Sequence, residues 1–257
     1  MVSRILFRCG QICTEFVKEM GQIALLFLYT ISWMFTPPFR IRNIFRQMEF
    51  VGIKSILVIV LTGIFAGMVV ALGSYTGFKR FGGESLLGAT VALAMARELG
   101  PVMTALMVTA RAGSAMAAEL GTMRVTEQID ALATMAVNPI QYLIVPRVLA
   151  GIFMVPVLTI VCASIGILGG YFVSVGLLGL NPGIYMANTV EYMEFLDIVK
   201  GLSKGFFFGF ILSLISCYKG FYARGGAEGV GKATTEAVVF SSVAILIGNY
   251  ILTSFLF

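Results

Sequence analysis

Residues Ser85–Ala110 read SLLGATVALAMARELGPVMTALMVTA. Twelve uncharged residues precede Arg97-Glu98 and twelve follow, so a stretch long enough to cross a bilayer carries two charges at its centre. A charged side chain at the middle of a membrane helix costs about 2.5–3.5 kcal/mol on insertion scales, and such residues normally face a protein interior or a wet cavity. Pro101 follows at once; it removes a backbone donor and is expected to break the regular helix. A charged, interrupted helix at mid-membrane points to a substrate route. The plainer alternative is a neutralised ion pair that only pins helices together.

The rest of the chain supports a membrane reading. Of 257 residues, 58% are hydrophobic and 12% charged, against about 25% charged in soluble domains. Mean hydropathy is +0.95. Uncharged runs mark four further spans: Ser55–Phe78; part of Val148–Val190, with an outside segment after the break at Asn181-Pro182-Gly183; Leu196–Tyr218, whose first turns carry charges; and Ala237–Phe257. Ahead of them, Ile5, Cys9, Ile12, Phe16, Met20, Ile23, Phe27 and Ile31 form one apolar stripe at helical spacing. This suits an amphipathic helix lying in the membrane interface, ended by Thr36-Pro37-Pro38. The expected architecture is therefore all-α: an interfacial helix over 1–38 and a five-span domain over 39–257. Glu15, Lys18 and Glu19 interrupt any signal-peptide core.

Other chemistries are poorly supported. There is no histidine, and Cys9, Cys13, Cys162 and Cys217 form no CxxC pattern, so neither a metal site nor a cofactor is expected. No nucleic-acid partner is expected. The net charge of +5 matters through its placement. With the N-terminus inside, thirteen Lys and Arg fall on the inner side, and only Lys79, Arg80, Lys200 and Lys204 fall outside. The positive-inside rule then gives N-terminus in, C-terminus out.

Two inner segments carry patterns. In 111–147, Thr126 is a plausible N-cap, Glu127 and Asp130 fill the first turn, and Ile129, Leu132, Ala133 and Ala136 make an apolar face before Asn138-Pro139. A short amphipathic helix between spans two and three is placed to dock a soluble partner, or else to lie on lipid headgroups. The second segment, Gly226-Ala-Glu-Gly-Val-Gly231-Lys232-Ala233, nearly matches a phosphate-binding loop. Ala233 stands where the magnesium-ligating hydroxyl is required, and no strand precedes it. A flexible turn is expected there, and any ATP chemistry must come from another polypeptide.

The ordered series Glu98-Leu-Gly-Pro101, Arg111-Ala-Gly-Ser-Ala, Ala118-Glu-Leu-Gly-Thr-Met123, Val125-Thr-Glu-Gln-Ile-Asp-Ala-Leu132, Asn138-Pro139, Pro146-Arg147 and Gly225-Gly-Ala-Glu-Gly resembles the MlaE (YrbE) permeases from about residue 40 onward. That family supplies the membrane subunit of MCE-associated ABC transporters. The resemblance implies phospholipid or related lipid as substrate and a bacterial inner-membrane location. It also implies a homodimer, cytoplasmic ABC ATPase subunits and a periplasmic MCE-domain protein. It makes Glu127, Gln128, Ile129, Asp130 and Leu132 the ATPase-coupling segment.

Within that frame, Arg97 is the first candidate for the lipid phosphate, because its planar fork matches phosphate oxygens. Glu98 would balance it in the empty site. Tyr75 could line the same cavity, and Lys200 and Lys204 would guide headgroups or snorkel to the interface. Leu99, Leu72 and Val69 are candidate acyl-chain contacts. Gly63 and Gly67 have the spacing that allows close helix approach. Two other classes remain: a secondary transporter with a charged mid-membrane site, against which stand five unevenly divisible spans and no visible inverted repeat; and a membrane scaffold for a soluble enzyme.

Overall fold

In hydrocarbon every backbone polar group must be satisfied within the protein, and the helix does this inside one segment. The computed structural model describes residues 2–37 and 40–256, with side chains at Thr14 and from Val17 onward. The described residues are almost entirely helical. Five helical stretches are long and apolar enough to cross a membrane: Ile41–Phe81, Glu84–Val125, Ile140–Leu177, Phe195–Phe221 and Gly226–Leu256. The five expected spans fall on these stretches as far as Leu256; Phe257 lies outside the described residues.

Helix α1 runs Val2–Met34, with bends at 35–37. The side chains of Ile5, Cys9, Ile12 and Phe16, the first half of its apolar stripe, and the whole of Pro38 lie outside the described residues. The inner part packs: Leu26 and Thr30 are buried, and Tyr218 donates to Gln22 Oε1 at 2.8 Å. Helix α2 (Ile41–Val51) leads into α3 (Ile56–Phe78). Helices α4 (Leu87–Ala94), α5 (Gly100–Val108) and α6 (Ser114–Val125) together form the second span. A short α7 (Gln128–Thr134) follows, then α8 (Val145–Tyr171), α9 (Pro182–Tyr192), α10 (Phe195–Phe221) and α11 (Gly226–Leu256).

Helices α8 and α10 form the centre. Helix α3 packs on α8, while α10 packs on α8, α6 and α11. Between apolar helices in lipid the driving force is close packing, which small residues permit. The α3–α8 contact shows this directly. A Cβ on Gly67 would lie 1.8 Å from the Gly166 carbonyl oxygen, and one on Gly63 2.8 Å from that of Cys162. The glycine spacing expected to allow close approach is used here, backbone against backbone. The outward faces of α3 and α11 remain apolar and exposed, with Phe65, Val69, Val243, Leu246 and Ile247 among the exposed residues.

Three local expectations are corrected. Pro101 does not break the second span. A π-helical turn at Met95–Leu99 widens the helix, the Gly100 N–H reaches back to the Met95 carbonyl, and Pro101 sits in the first turn of α5. The span also continues well past Ala110 to Val125. Arg97-Glu98 is therefore displaced from its centre, toward the Glu84 end. Second, Thr126 does not cap α7. Its hydroxyl donates back to the Thr122 carbonyl at 2.8 Å, and Glu127 holds the cap position at φ +60°. Asn138 does not stop α7 either; that helix ends at Thr134, and Asn138 Oδ1 accepts the Ile140 N–H of the next element at 2.9 Å. Third, the glycine-rich segment is a turn only at Gly225 and Gly226 (φ +94° and +68°); from Gly226 onward it is the start of α11.

Candidate functional site

The site begins with the way α10 approaches the π-turn. Asp197, Gly201 and Lys204 stand at i, i+4 and i+7 on α10 and so share one face. A Cβ on Gly201 would fall 2.2 Å from the Ala96 carbonyl oxygen, so only glycine lets the two backbones meet there. That approach carries the Lys204 ammonium into the second span. It donates to Glu98 Oε1 at 2.6 Å, to Thr253 Oγ1 at 2.8 Å and to the Arg97 carbonyl at 3.1 Å. Three donors meet three acceptors, which is what a fully buried ammonium requires. The Arg97 carbonyl is the one that the missing N–H of Pro101 would have served in a regular helix, so the lysine also repairs the ladder.

Glu98 is held from a third helix. Asn249 Nδ2 donates to its Oε2 at 3.1 Å, and the Thr253 hydroxyl lies 3.2 Å from both carboxylate oxygens. Arg97 faces the start of α10 instead, with Nε 2.8 Å from Asp197 Oδ1. The other oxygen of Asp197 accepts the Glu194 N–H at 3.2 Å, completing a capping box. The network has two positive and two negative members. Lys204 and Asp197 are buried; Arg97 and Glu98 are about one-third exposed. Each charge that reaches the surface is thus backed by a buried counter-ion. Thr253 lies within one turn of the end of α11, and Lys204 about 14 Å into α10 at 1.5 Å per residue. The network therefore sits in the half of the bundle that holds the α10 N-terminus. An apolar cleft of ≈ 80 Å³ opens beside it, lined by Ala96, Ile160, Ala163 and Leu202.

The sequence paired Arg97 with Glu98 and set Lys204 apart as a headgroup guide or snorkelling residue; the structure brings all three together with different pairings. Glu98 is neutralised by Lys204, not by Arg97. Lys204 neither snorkels nor stands at the surface. Lys200 is half-buried one turn earlier. Leu99 packs against the main core. Val69 and Leu72 are exposed on α3, and Tyr75 is half-buried with the Lys79 ammonium 5.4 Å from its ring centre. Asp197, Asn249 and Thr253 were missed. For Asp197 the available signal was its spacing from Glu194 (a capping box) and from Gly201 and Lys204.

The inner segment also has definite geometry. In α7, Ile129 is buried and Leu132 half-buried, both in the apolar cluster that holds Leu120, Leu143 and Tyr218. Glu127, Gln128 and Asp130 are exposed, and Asp130 pairs with Arg124 at 2.6 Å. Two non-glycine residues bracket the helix in the left-handed region, Glu127 and Ala136. Each costs roughly 1–2 kcal/mol, a strain that surrounding structure sustains most often at functional elements. Lys232 is 78% exposed on α11, 3.9 Å from Glu236. A helical segment does not present the cradle of backbone N–H groups that a phosphate loop needs.

Comparison with known proteins adds the family. The profile of the Permease MlaE family matches residues 44–255. A probable ABC transporter permease protein of Rickettsia typhi is 45% identical over the whole chain and 99% of its own length. The intermembrane phospholipid transport system permease protein MlaE of Haemophilus influenzae is 41% identical over 82% of each chain. The chloroplastic protein TRIGALACTOSYLDIACYLGLYCEROL 1 of Arabidopsis thaliana is 43% identical over 84% of this chain and 62% of its own.

Proposed function

The chain belongs to the MlaE permease family, and we propose that it is the membrane subunit of an ATP-driven transporter carrying phospholipid between the inner and outer membranes of a bacterium. The observation that carries the substrate reading is the four-charge network. Arg97 and Glu98 reach the surface, each held by a buried partner, and Arg97 so offers a phosphate-matching fork, with a small apolar cleft next to it at Ala96. Leu99, and Val69, Leu72 and Tyr75 on α3, are proposed as further lipid contacts, the last three on the exposed face that a second copy of the chain would cover. Lys200 is proposed to meet headgroups at the entrance. Asp197 and Lys204 are positioning residues for Arg97 and Glu98.

Energy is proposed to come from cytoplasmic ABC ATPase subunits seated on α7, with a periplasmic MCE-domain protein on the other side of a homodimer. The exposed acids Glu127 and Asp130 and the strained ends of α7 support the docking assignment. Replacing both acids with Lys is expected to weaken ATPase association roughly tenfold, the scale of a lost interfacial charge contact. The folded permease should survive, because both side chains are exposed. Co-purification of the ATPase and lipid moved per ATP are the readouts; normal values in the double variant would remove the docking role from α7.

The N-in, C-out orientation is part of the proposal and rests on the distribution of basic residues. Glu228→Cys should react with impermeant thiol reagents only after the inner membrane is opened. Gly82→Cys should react in intact spheroplasts. The opposite pattern would reverse the assignment.

A further inference from the structure

At the bundle end away from the Arg97 network, α2, α6 and the start of α8 enclose a cavity of ≈ 480 Å³. Its walls carry Arg46, Lys54 and Arg147 against Glu49 and Glu119. Arg42 joins Arg46 and Glu49 in an adjoining recess. Arg111 lies behind the wall, its guanidinium 4.7 Å from the Phe50 ring centre and hydrogen-bonded to the Phe50 carbonyl. The surroundings therefore hold five cations and two carboxylates.

Arg147 is the built element of this site. It is 3% exposed, yet it lines the cavity. One terminal nitrogen donates to the Leu143 carbonyl at 2.6 Å and the other to Glu119 at 2.8 Å. Its Nε finds no partner among the described residues, and neither does Oε1 of Gln47 on the facing wall. Buried polar atoms are normally hydrogen-bonded: the Arg147 Nε–H is a donor and calls for an acceptor, whereas Gln47 Oε1 is itself an acceptor, and that residue meets an anion only with its amide turned to present Nε2. The excess of Arg and Lys selects an anion, and guanidinium groups favour phosphate oxygens.

We infer that this cavity binds a phosphate group, as the headgroup of an anionic inner-leaflet lipid or as a free phosphate ester, at a second site separate from the Arg97 network. On the orientation proposed above the cavity lies at the cytoplasmic surface, where anionic lipids gather basic side chains.

The test uses the chain with its partners in nanodiscs. Arg46→Gln with Lys54→Gln removes two exposed cations and leaves the buried Arg147–Glu119 pair intact. Native mass spectrometry should show phosphatidylglycerol retained over phosphatidylcholine by the unaltered protein, and roughly tenfold less in the double variant, the scale of one or two charged hydrogen bonds. Any lipid held at Arg97 is present in both proteins and cancels in the difference. Glu49→Gln, which removes an acid from the wall, should raise retention, opposite to the effect of a general loss of folding. A thermal shift on adding inorganic phosphate in pure phosphatidylcholine, lost in the double variant, assigns the site to soluble phosphate; a phosphatidylglycerol preference without that shift assigns it to lipid. Equal values for unaltered and doubly altered protein in both measurements would overturn the site.

Discussion

Lys204→Met is expected to leave little folded permease. The substitution strips Glu98 of its cation and leaves the Arg97 carbonyl and the Thr253 hydroxyl without their donor. Removing one member of a buried ion pair typically costs about 3–5 kcal/mol, because the remaining charge stays where water does not reach it well. Glu98 is about one-third exposed, so the lower end of that range applies. That is a large fraction of the stability of an ordinary domain. The monodisperse fraction in detergent and the midpoint of thermal unfolding should both fall sharply. Adding Glu98→Gln should restore much of the loss, since the amide keeps partners in Asn249 and Thr253 without a net charge. A single variant as stable as the parent would mean that the lysine holds nothing together.

The spans were legible because lipid forbids long charged runs. Ser55–Phe78 and Ala237–Phe257 could be read directly: α3 covers Ile56–Phe78, and α11 begins about three turns before Ala237, at Gly226. The π-turn at Met95–Leu99 was not legible. Proline signals a lost hydrogen bond, but whether the chain answers with a break or a widened turn depends on what packs beside it, here Gly201. The pairings within the site were hidden for a related reason. Arg97 and Glu98 are neighbours in sequence but point to different helices, and the partner of Glu98 lies 106 residues away. Asn249 and Thr253 stood one turn apart in an uncharged span, yet nothing local says which helix they face. The glycine-rich stretch before Lys232 shows the converse. Its composition suggests a flexible loop, while tertiary packing of α11 on α6 and α10 makes it helix.

Neutralising Arg97 is expected to damage the protein in two separable ways. Arg97→Ala leaves Asp197 buried without its cation, at a cost of about 2 kcal/mol, less than for a fully buried pair because a third of the arginine is exposed. It also removes the group assigned to the lipid phosphate. The pairing seen here sets the rescuing change: Asp197, not Glu98, must be neutralised with it. Arg97→Met with Asp197→Asn replaces both charges by uncharged side chains, which for a buried pair can be neutral or stabilising. The measurement is the amount of phospholipid photocrosslinked to or co-purified with the assembled complex of this double variant, alongside its ATP-driven lipid transfer. Normal assembly with lipid and transfer reduced tenfold or more, the scale of a lost charge-assisted phosphate contact, is the expected result. Normal assembly with lipid and transfer restored to the unaltered level would contradict the account, leaving Arg97 as a structural ion pair and the substrate site elsewhere.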